Sequence, residues 1–374
     1  MIMYTLIAVY GKTYTLGEKN MKKSKILTFT AMLLILVITV AVFAGCIGKA
    51  NSAPADLDFD GLGLKPTKEA IAKSTPIDRN KVTLSDTLTD DQAVLDSVKY
   101  LLTLSNRNLI ECDFFTAGAY GTGTAAITVT SGGDPIVGSM DLREVRIFDN
   151  NTYYFDTYCL ITDSYTIKKD GSHGKVADVL TNAVASALNY AKRVYSPNGE
   201  DFYFSKNGKT NKDSIVNFPD PYAVSFEKPK TQKMTYDQYM AETNSRDSYK
   251  SFTTDNYETQ QPITKGLITY DDSTGIYRLE CDINCDDETL EYSVADMLDI
   301  GAINEFDYAE KHLTIEIWDC GLIRNYINEN TWNASMILNL KGTSHNFYEQ
   351  WFMYDKSKLN KLVIPQELKD QLMK

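Results

Sequence analysis

Hydrophobic positions along the chain change rhythm several times, and the changes mark the elements. Thr89-Asp90-Asp91 supplies a helix N-cap, and Val94, Val98, Leu101 and Leu102 follow at helical spacing, predicting a helix that ends near Asn106. Runs rich in β-branched and aromatic residues then predict strands over 109–115, 125–130, 136–148 and 153–162. Ser131-Gly132-Gly133-Asp134 and Asp149-Asn150-Asn151 punctuate them as turns. A second helix is expected over 175–195, where Val176, Leu180, Val184, Ala187, Leu188 and Ala191 share one face. Phe202-Tyr203-Phe204 with the Asn207-Gly208 turn suggests a hairpin, and 235–241 a short helix.

The later part repeats this rhythm. Strands are expected over 267–270 and 276–283 around a turn at 271–275, followed by a helix over 288–298 carrying Leu290, Val294 and Met297. Further strands are expected over 313–318, 322–327, 335–340 and 347–354, with Asp319-Cys320-Gly321 as a turn. Pro365 opens a final helix ending at Met373. The expected fold class is α+β: wide, curved antiparallel sheets packed on a few helices, arranged as two similar lobes. The first lobe spans 91–243, a polar segment over 244–262 connects, and the second lobe spans 263–374. Each sheet needs one covered face, and the helices supply it.

Ahead of the body stands a different pattern. Met21-Lys22-Lys23-Ser24-Lys25 is basic, 26–43 is an uncharged run of 18 residues, and Ala44-Gly45-Cys46 follows. This is the form of an export signal, and the run is also just long enough to span a bilayer as an uncleaved anchor. Under both readings the lysines stay in the cytoplasm and the body lies outside. Val42-Phe43-Ala44-Gly45-Cys46 resembles the lipobox of prokaryotic lipoproteins. That resemblance implies a signal peptide over 21–45, lipid on Cys46, and a location on the outer side of the cell membrane. Residues 1–20 are expected to be a mis-assigned upstream extension. The stretch 46–90, polar and without sustained periodicity, is expected to be a flexible tether. The rhythm of the body is also similar to the half-barrel of envelope lipoproteins and carriers of the LolA and LppX type, which implies a hydrophobic ligand or an envelope protein as partner.

Charge sharpens this picture. The formal net charge is −12, and residues 1–45 hold five lysines against Glu18, so the chain from Cys46 onward carries −16. With no Lys or Arg run to offset it, such a body repels phosphates, and nucleic acid is not an expected partner.

Candidate chemistry is sparse. Asp56, Asp58 and Asp60 before Gly61 match the opening of a calcium loop, but the twelfth position is Thr67 where a bidentate Glu is required. Cys281 and Cys285 sit among Asp282, Asp286, Asp287 and Glu288 and could hold a soft metal, at a spacing unlike that of zinc ribbons. Packed thiols, or disulfides that also involve Cys112, Cys159 or Cys320, are the competing readings. Gly121-x-Gly123-x-x-Ala126 resembles a dinucleotide fingerprint lying in strand-like sequence, where a turn or bulge is the simpler reading. The three histidines, His173, His312 and His345, lie in no catalytic motif. Trp351 and Phe352 would point to opposite faces of a strand. No cofactor is expected. The reading is a non-enzymatic, ligand- or partner-binding extracytoplasmic lipoprotein; a surface hydrolase using carboxylates and a structural or adhesive envelope module are the alternatives.

Overall fold

The computed structural model describes residues 62–129, 134–175, 190–206, 231–242, 250, 263–284, 303–336 and 340–361. Among them lie three α-helices: α1 (Lys68–Lys73), α2 (Gln92–Glu111) and α3 (Tyr236–Glu242). The strands are β1 (Ser85–Thr89), β2 (Phe114–Val129), β3 (Ile136–Asp149), β4 (Thr152–Ile167), β5 (His173–Lys175), β6 (Tyr190–Ser196), β7 (Asp201–Lys206) and β8 (Thr231–Thr235). They continue with β9 (Ile263–Asp271), β10 (Ile276–Ile283), β11 (Ile303–Trp318), β12 (Ile323–Met336) and β13 (Leu340–Met353).

All of them join one antiparallel sheet, in the order β1-β9-β10-β11-β12-β13-β2-β3-β4-β6-β7-β8, with β5 beside β4. Among the described residues the sheet does not close on itself. Strands from both sides of the expected connecting segment hydrogen-bond directly: β13 pairs with β2 along its whole length, from Leu340 with Val129 to Met353 with Thr116, and β1 pairs with β9. Among the described residues the fold is mostly sheet, with few helices.

Period-two alternation places the core. In β10, Tyr277, Leu279, Cys281 and Ile283 point to the face that carries α2, while Arg278, Glu280 and Asp282 point away. Asp91 caps α2 by accepting from the Ala93 N–H at 2.8 Å, and Val94, Leu95, Val98, Leu101, Leu102 and Leu109 bury its apolar stripe. At Gly266 of β9 an added Cβ would lie 3.0 Å from Val98, which shows how closely helix and sheet approach. At the other flank of the same inner face, α3 lays Tyr239 flat on Phe202, with ring centroids 4.5 Å apart.

Several expectations change. The predicted strand over 109–115 loses its first residues to α2, because Leu109 continues the buried helical stripe and the polar Asn106-Arg107-Asn108 stretch is not a break. Asn108 is buried: it accepts from the Thr75 N–H and donates to the Thr75 and Gly321 carbonyls. The expected turn or bulge at Gly121-x-Gly123 is the middle of β2, whose register with β3 and β13 runs without a shift. This also removes the helix that a dinucleotide fingerprint must open. Residues 190–195, expected to be helical, form β6, because cross-strand pairing with β4 and β7 outweighs the local pattern. The separate strands expected over 322–327 and 335–340 are the single strand β12, with Leu340 opening β13. Residues 62–89, expected to belong to the tether, carry α1 and β1 and bury Leu62 and Ile77. Sparse apolar anchors and backbone hydrogen bonds hold this segment where periodicity does not. The helices expected over 288–298 and 365–373 and the turns at 131–133 and 207–208 lie outside the described residues.

Candidate functional site

Between the flanks covered by α2 and α3, the centre of the inner face changes character. Here β2 presents only small side chains, Ala117, Ala119, Gly121, Gly123 and Ala125. The neighbouring strands present mainly polar ones, Ser344, Asn346, Tyr348 and Gln350 from β13, Asn328 and Asn330 from β12, and Glu144 and Arg146 from β3, with the buried Trp332 of β12 and Leu142 of β3 among them. A hydrogen-bonded amide ladder crosses β13 and β12. Ser344 Oγ donates to Asn346 Oδ1 at 2.7 Å, Asn346 Nδ2 to Asn330 Oδ1 at 2.8 Å, Asn330 Nδ2 to Asn328 Oδ1 at 3.2 Å, and Asn328 Nδ2 to Tyr326 at 3.3 Å.

On the other side of β2, Arg146 Nε donates to Glu144 Oε1 at 2.6 Å, and the Tyr348 hydroxyl donates to the same oxygen at 3.2 Å. The carboxylate keeps Arg146 firmly charged despite its burial, so the pair is internally neutral. Gln350 stands between these groups, opposite Ala119 on β2 and Tyr326 on β12. It has no solvent exposure, and neither its amide oxygen nor its amide nitrogen has a hydrogen-bond partner.

The outer face holds a second buried polar group. Glu349 is 1% exposed, accepts from Asn325 Nδ2 at 3.2 Å and from Tyr120, and its Oε2 has no partner. Burial pushes its carboxyl up to about 7, against the pull of Tyr120, Asn325 and Trp351; the negative charge of Glu316 adds to the rise. Beside it Arg324 lies 4.8 Å from the centre of the Trp351 ring, pairs with Glu316, and donates from Nε to the Gly63 carbonyl at 2.9 Å. The Gly63 N–H in turn donates to the Phe352 carbonyl at 2.8 Å, so this residue is strapped to the sheet from both sides. A Cβ at Gly63 would lie 2.6 Å from the Trp351 ring, which accounts for glycine there.

The candidates read from sequence are scattered. Cys281 faces inward, fully buried and unpaired, while its neighbour Asp282 faces outward and meets His312 Nδ1 at 2.8 Å. Strand alternation thus separates this thiol from the adjacent carboxylate. Thr67 spends its side chain capping α1, accepting from the Ala70 N–H at 3.2 Å. His173 stacks on Tyr165 at 4.0 Å, and His345 bonds Thr331 at 3.0 Å. Trp351 and Phe352 take opposite faces, Phe352 against Phe115. Cys46, Asp56, Asp58, Asp60 and Cys285 lie outside the described residues, and Cys159 lies within β4 opposite Leu142. Among the described residues no group of three or more His, Cys, Asp or Glu side chains is placed to hold a metal ion.

Glu144, Arg146, Glu349 and Gln350 were not singled out from sequence. The signal that finds Glu144, Arg146 and Gln350 is a polar residue at core parity, and Glu349 is found only by its burial on the opposite face; both become readable only once the strand register is known.

The cysteine environments give a direct expectation. Burial pushes the thiols of Cys112 and Cys320 up and that of Cys281 up to about 12. In the native protein at pH 8, iodoacetamide should leave the peptides bearing these three cysteines unmodified over an hour and label them fully in urea. Rapid native labelling of Cys281, read by peptide mass mapping, would contradict the packing of β10 under α2.

No family model matches the sequence, and no curated protein matches it. Solved structures with some likeness include Neisserial surface protein A, at 6% identity over 63% of this chain and 96% of that one, with a TM-score of 0.17. A putative outer membrane lipoprotein-sorting protein domain from Vibrio parahaemolyticus matches at 8% identity over 66% and 90%, with a TM-score of 0.18. A DUF1329 family protein from Desulfovibrio piger matches at 8% over 69% and 92%, with a TM-score of 0.19. Three of these numbers, the TM-scores, are too low for superposable folds, so the course of the sheet rests on its own register.

Proposed function

We propose that this chain is an extracytoplasmic lipoprotein, anchored through lipid on Cys46, whose inner sheet face binds a ligand without chemical turnover. The leader ending at Cys46 supports the address. The binding role rests on one observation: the centre of the inner face, between the flanks held by α2 and α3, carries buried amides and a lane of alanine and glycine where an ordinary core carries large apolar side chains. Burying polar groups costs free energy unless they are matched, and a protein that needed only stability would fill this centre with leucine and phenylalanine.

The test is native mass spectrometry of the full chain, released gently from membranes of the producing cell. The expected result is a retained small-molecule adduct that is lost on denaturation. A bare polypeptide mass under conditions that preserve the fold counts against the binding role.

A further inference from the structure

We infer that residues 62–66 form a pH-sensitive latch on the outer face of the sheet: they stay bound while Glu349 is neutral, and ionisation of Glu349 favours their release by way of Trp351. The latch goes beyond the address and the binding role proposed above and depends on neither.

Trp351 connects the two parts. It follows Glu349 by two positions on β13, so both side chains take the same face. Its ring joins Leu62 and Met353 in a small apolar cluster separate from the main core, and a Cβ at Gly63 would lie 2.6 Å from that ring. Its indole N–H is near enough to Glu349 to favour the charged carboxyl. Yet Trp351 Nε1 and Glu349 Oε2, both buried, have no hydrogen-bond partner. A donor and an acceptor are thus left unsatisfied on one face, which is costly for a neutral acid and far more so for a carboxylate.

The surroundings decide where that cost is relieved. Tyr120 on β2 and Asn325 on β12 already face the carboxyl, and they belong to strands paired on both sides. Arg143 on β3 lies 5.3 Å from the centre of the Tyr120 ring. Arg324 on β12 pairs with Glu316 on β11, which Arg278 on β10 approaches at 3.6 Å, and the charge of Glu316 opposes ionisation. The strap is the part most easily opened. Besides the burial of Leu62 and Pro66, it is held at Gly63, whose N–H donates to the Phe352 carbonyl and whose carbonyl accepts from Arg324 Nε. Leu64 and Lys65 are exposed, and Thr67 caps α1, so release can stop there with the helix in place. Opening lets water reach Glu349 and frees the Trp351 indole to turn its N–H to the carboxylate.

The direction follows from the carboxyl's position. Burial under the closed strap raises it from 4.5 to about 7, so the closed state is favoured fully below about pH 4.5, and that preference is lost as pH rises through about 7. A carboxyl returned to its ordinary value by opening shifts the latch by up to about 300-fold across this window. Where Cys46 carries the lipid, release adds residues 62–66, about 17 Å of extended chain, between membrane and body.

Hydrogen exchange of the full chain tests the latch, read by mass spectrometry on the peptide bearing Gly63 and corrected for the intrinsic effect of pH. Its protection factor should fall by at least about tenfold between pH 5 and pH 8.5. In Glu349→Gln the two values should agree within about threefold. Glu349→Met, of similar length and equally unable to ionise, takes its place if the glutamine variant fails to fold. Equal protection at both pH values in the wild type, or the same fall in the variant that cannot ionise, would overturn the latch. So would protection at Gly63 that only tracks the amides of α2, because the strap would then open only with the whole fold.

Discussion

Glu349→Gln should stabilise the folded protein at pH 8 by about 2–3 kcal/mol and remove most of the pH dependence of its stability between pH 4 and 8. The wild-type carboxyl sits almost without exposure on the outer face, and burial raises it from 4.5 to about 7. An acid whose folded value lies above its unfolded value stabilises fully below the unfolded value, here about pH 4.5, and loses that contribution as pH rises through about 7. At pH 8 the wild type therefore holds a buried carboxylate whose Oε2 has no partner, while Tyr120 and Asn325 offset only part of the cost. Glutamine cannot ionise and retains an oxygen for Asn325. Its amide nitrogen inherits the unpaired position, which is why the gain falls short of the whole shift. Urea unfolding at pH 5 and pH 8 checks this: the wild type should lose stability between the two, and the variant should change little. Parallel losses in both proteins would show that Glu349 is not the titrating group.

Gly321→Ala should cost the protein about 4 kcal/mol, close to the whole stability of many domains. Gly321 turns the chain between β11 and β12 at φ +84°, a region that L side chains adopt only with strain. A Cβ there would lie 2.4 Å from Asn108 Nδ2 and 2.4 Å from the Thr75 carbonyl oxygen. The first contact could move, but only by giving up the hydrogen bonds through which Asn108 ties α2 to the 319–321 turn and to Thr75. The second is backbone and cannot yield without displacing the segment after α1. Adding Asn108→Ala should therefore restore only a fraction of the loss. Thermal unfolding checks the ordering: Gly321→Ala far below the wild type, the double variant barely above the single one. A melting temperature for Gly321→Ala within error of the wild type would mean that the turn is not packed as described.

How much of this was legible in the sequence depends on the range of the forces involved. Local chemistry was readable. Asp91 caps α2, β3 begins at Ile136, Asn150 turns the chain at φ 53°, and α3 begins within a residue of its expected place. Sheet order was not readable, because the pairing of β13 with β2 joins residues about two hundred positions apart, and neither strand's pattern names its neighbour. The small residues of β2 misled most: Gly121 and Gly123 read as a turn or bulge in isolated sequence, yet pairing on both sides holds them extended. Leu62 and Gly63 show the opposite failure, a short segment with no periodicity that is fixed by Trp351, Arg324 and the Phe352 carbonyl.

The candidate site divides in the same way. Motif reading drew attention to cysteines and aspartates, and alternation sends Cys281 and Asp282 to different faces. The groups that now matter, Gln350 and Glu349, are consecutive residues on opposite faces of β13. Nothing local distinguishes either from an ordinary exposed polar side chain. Only the burial imposed by neighbours on both sides, and the missing partners, single them out.

The proposed function depends on the proposed export address, and peptide mass spectrometry of protein taken from the producing cell's own membranes tests that address most directly. The account predicts a mature N-terminus at Cys46 carrying a diacylglyceryl thioether, recovered from the membrane fraction. A chain that retains residues 21–45, with an unmodified Cys46 and recovered from the cytosol, would contradict it.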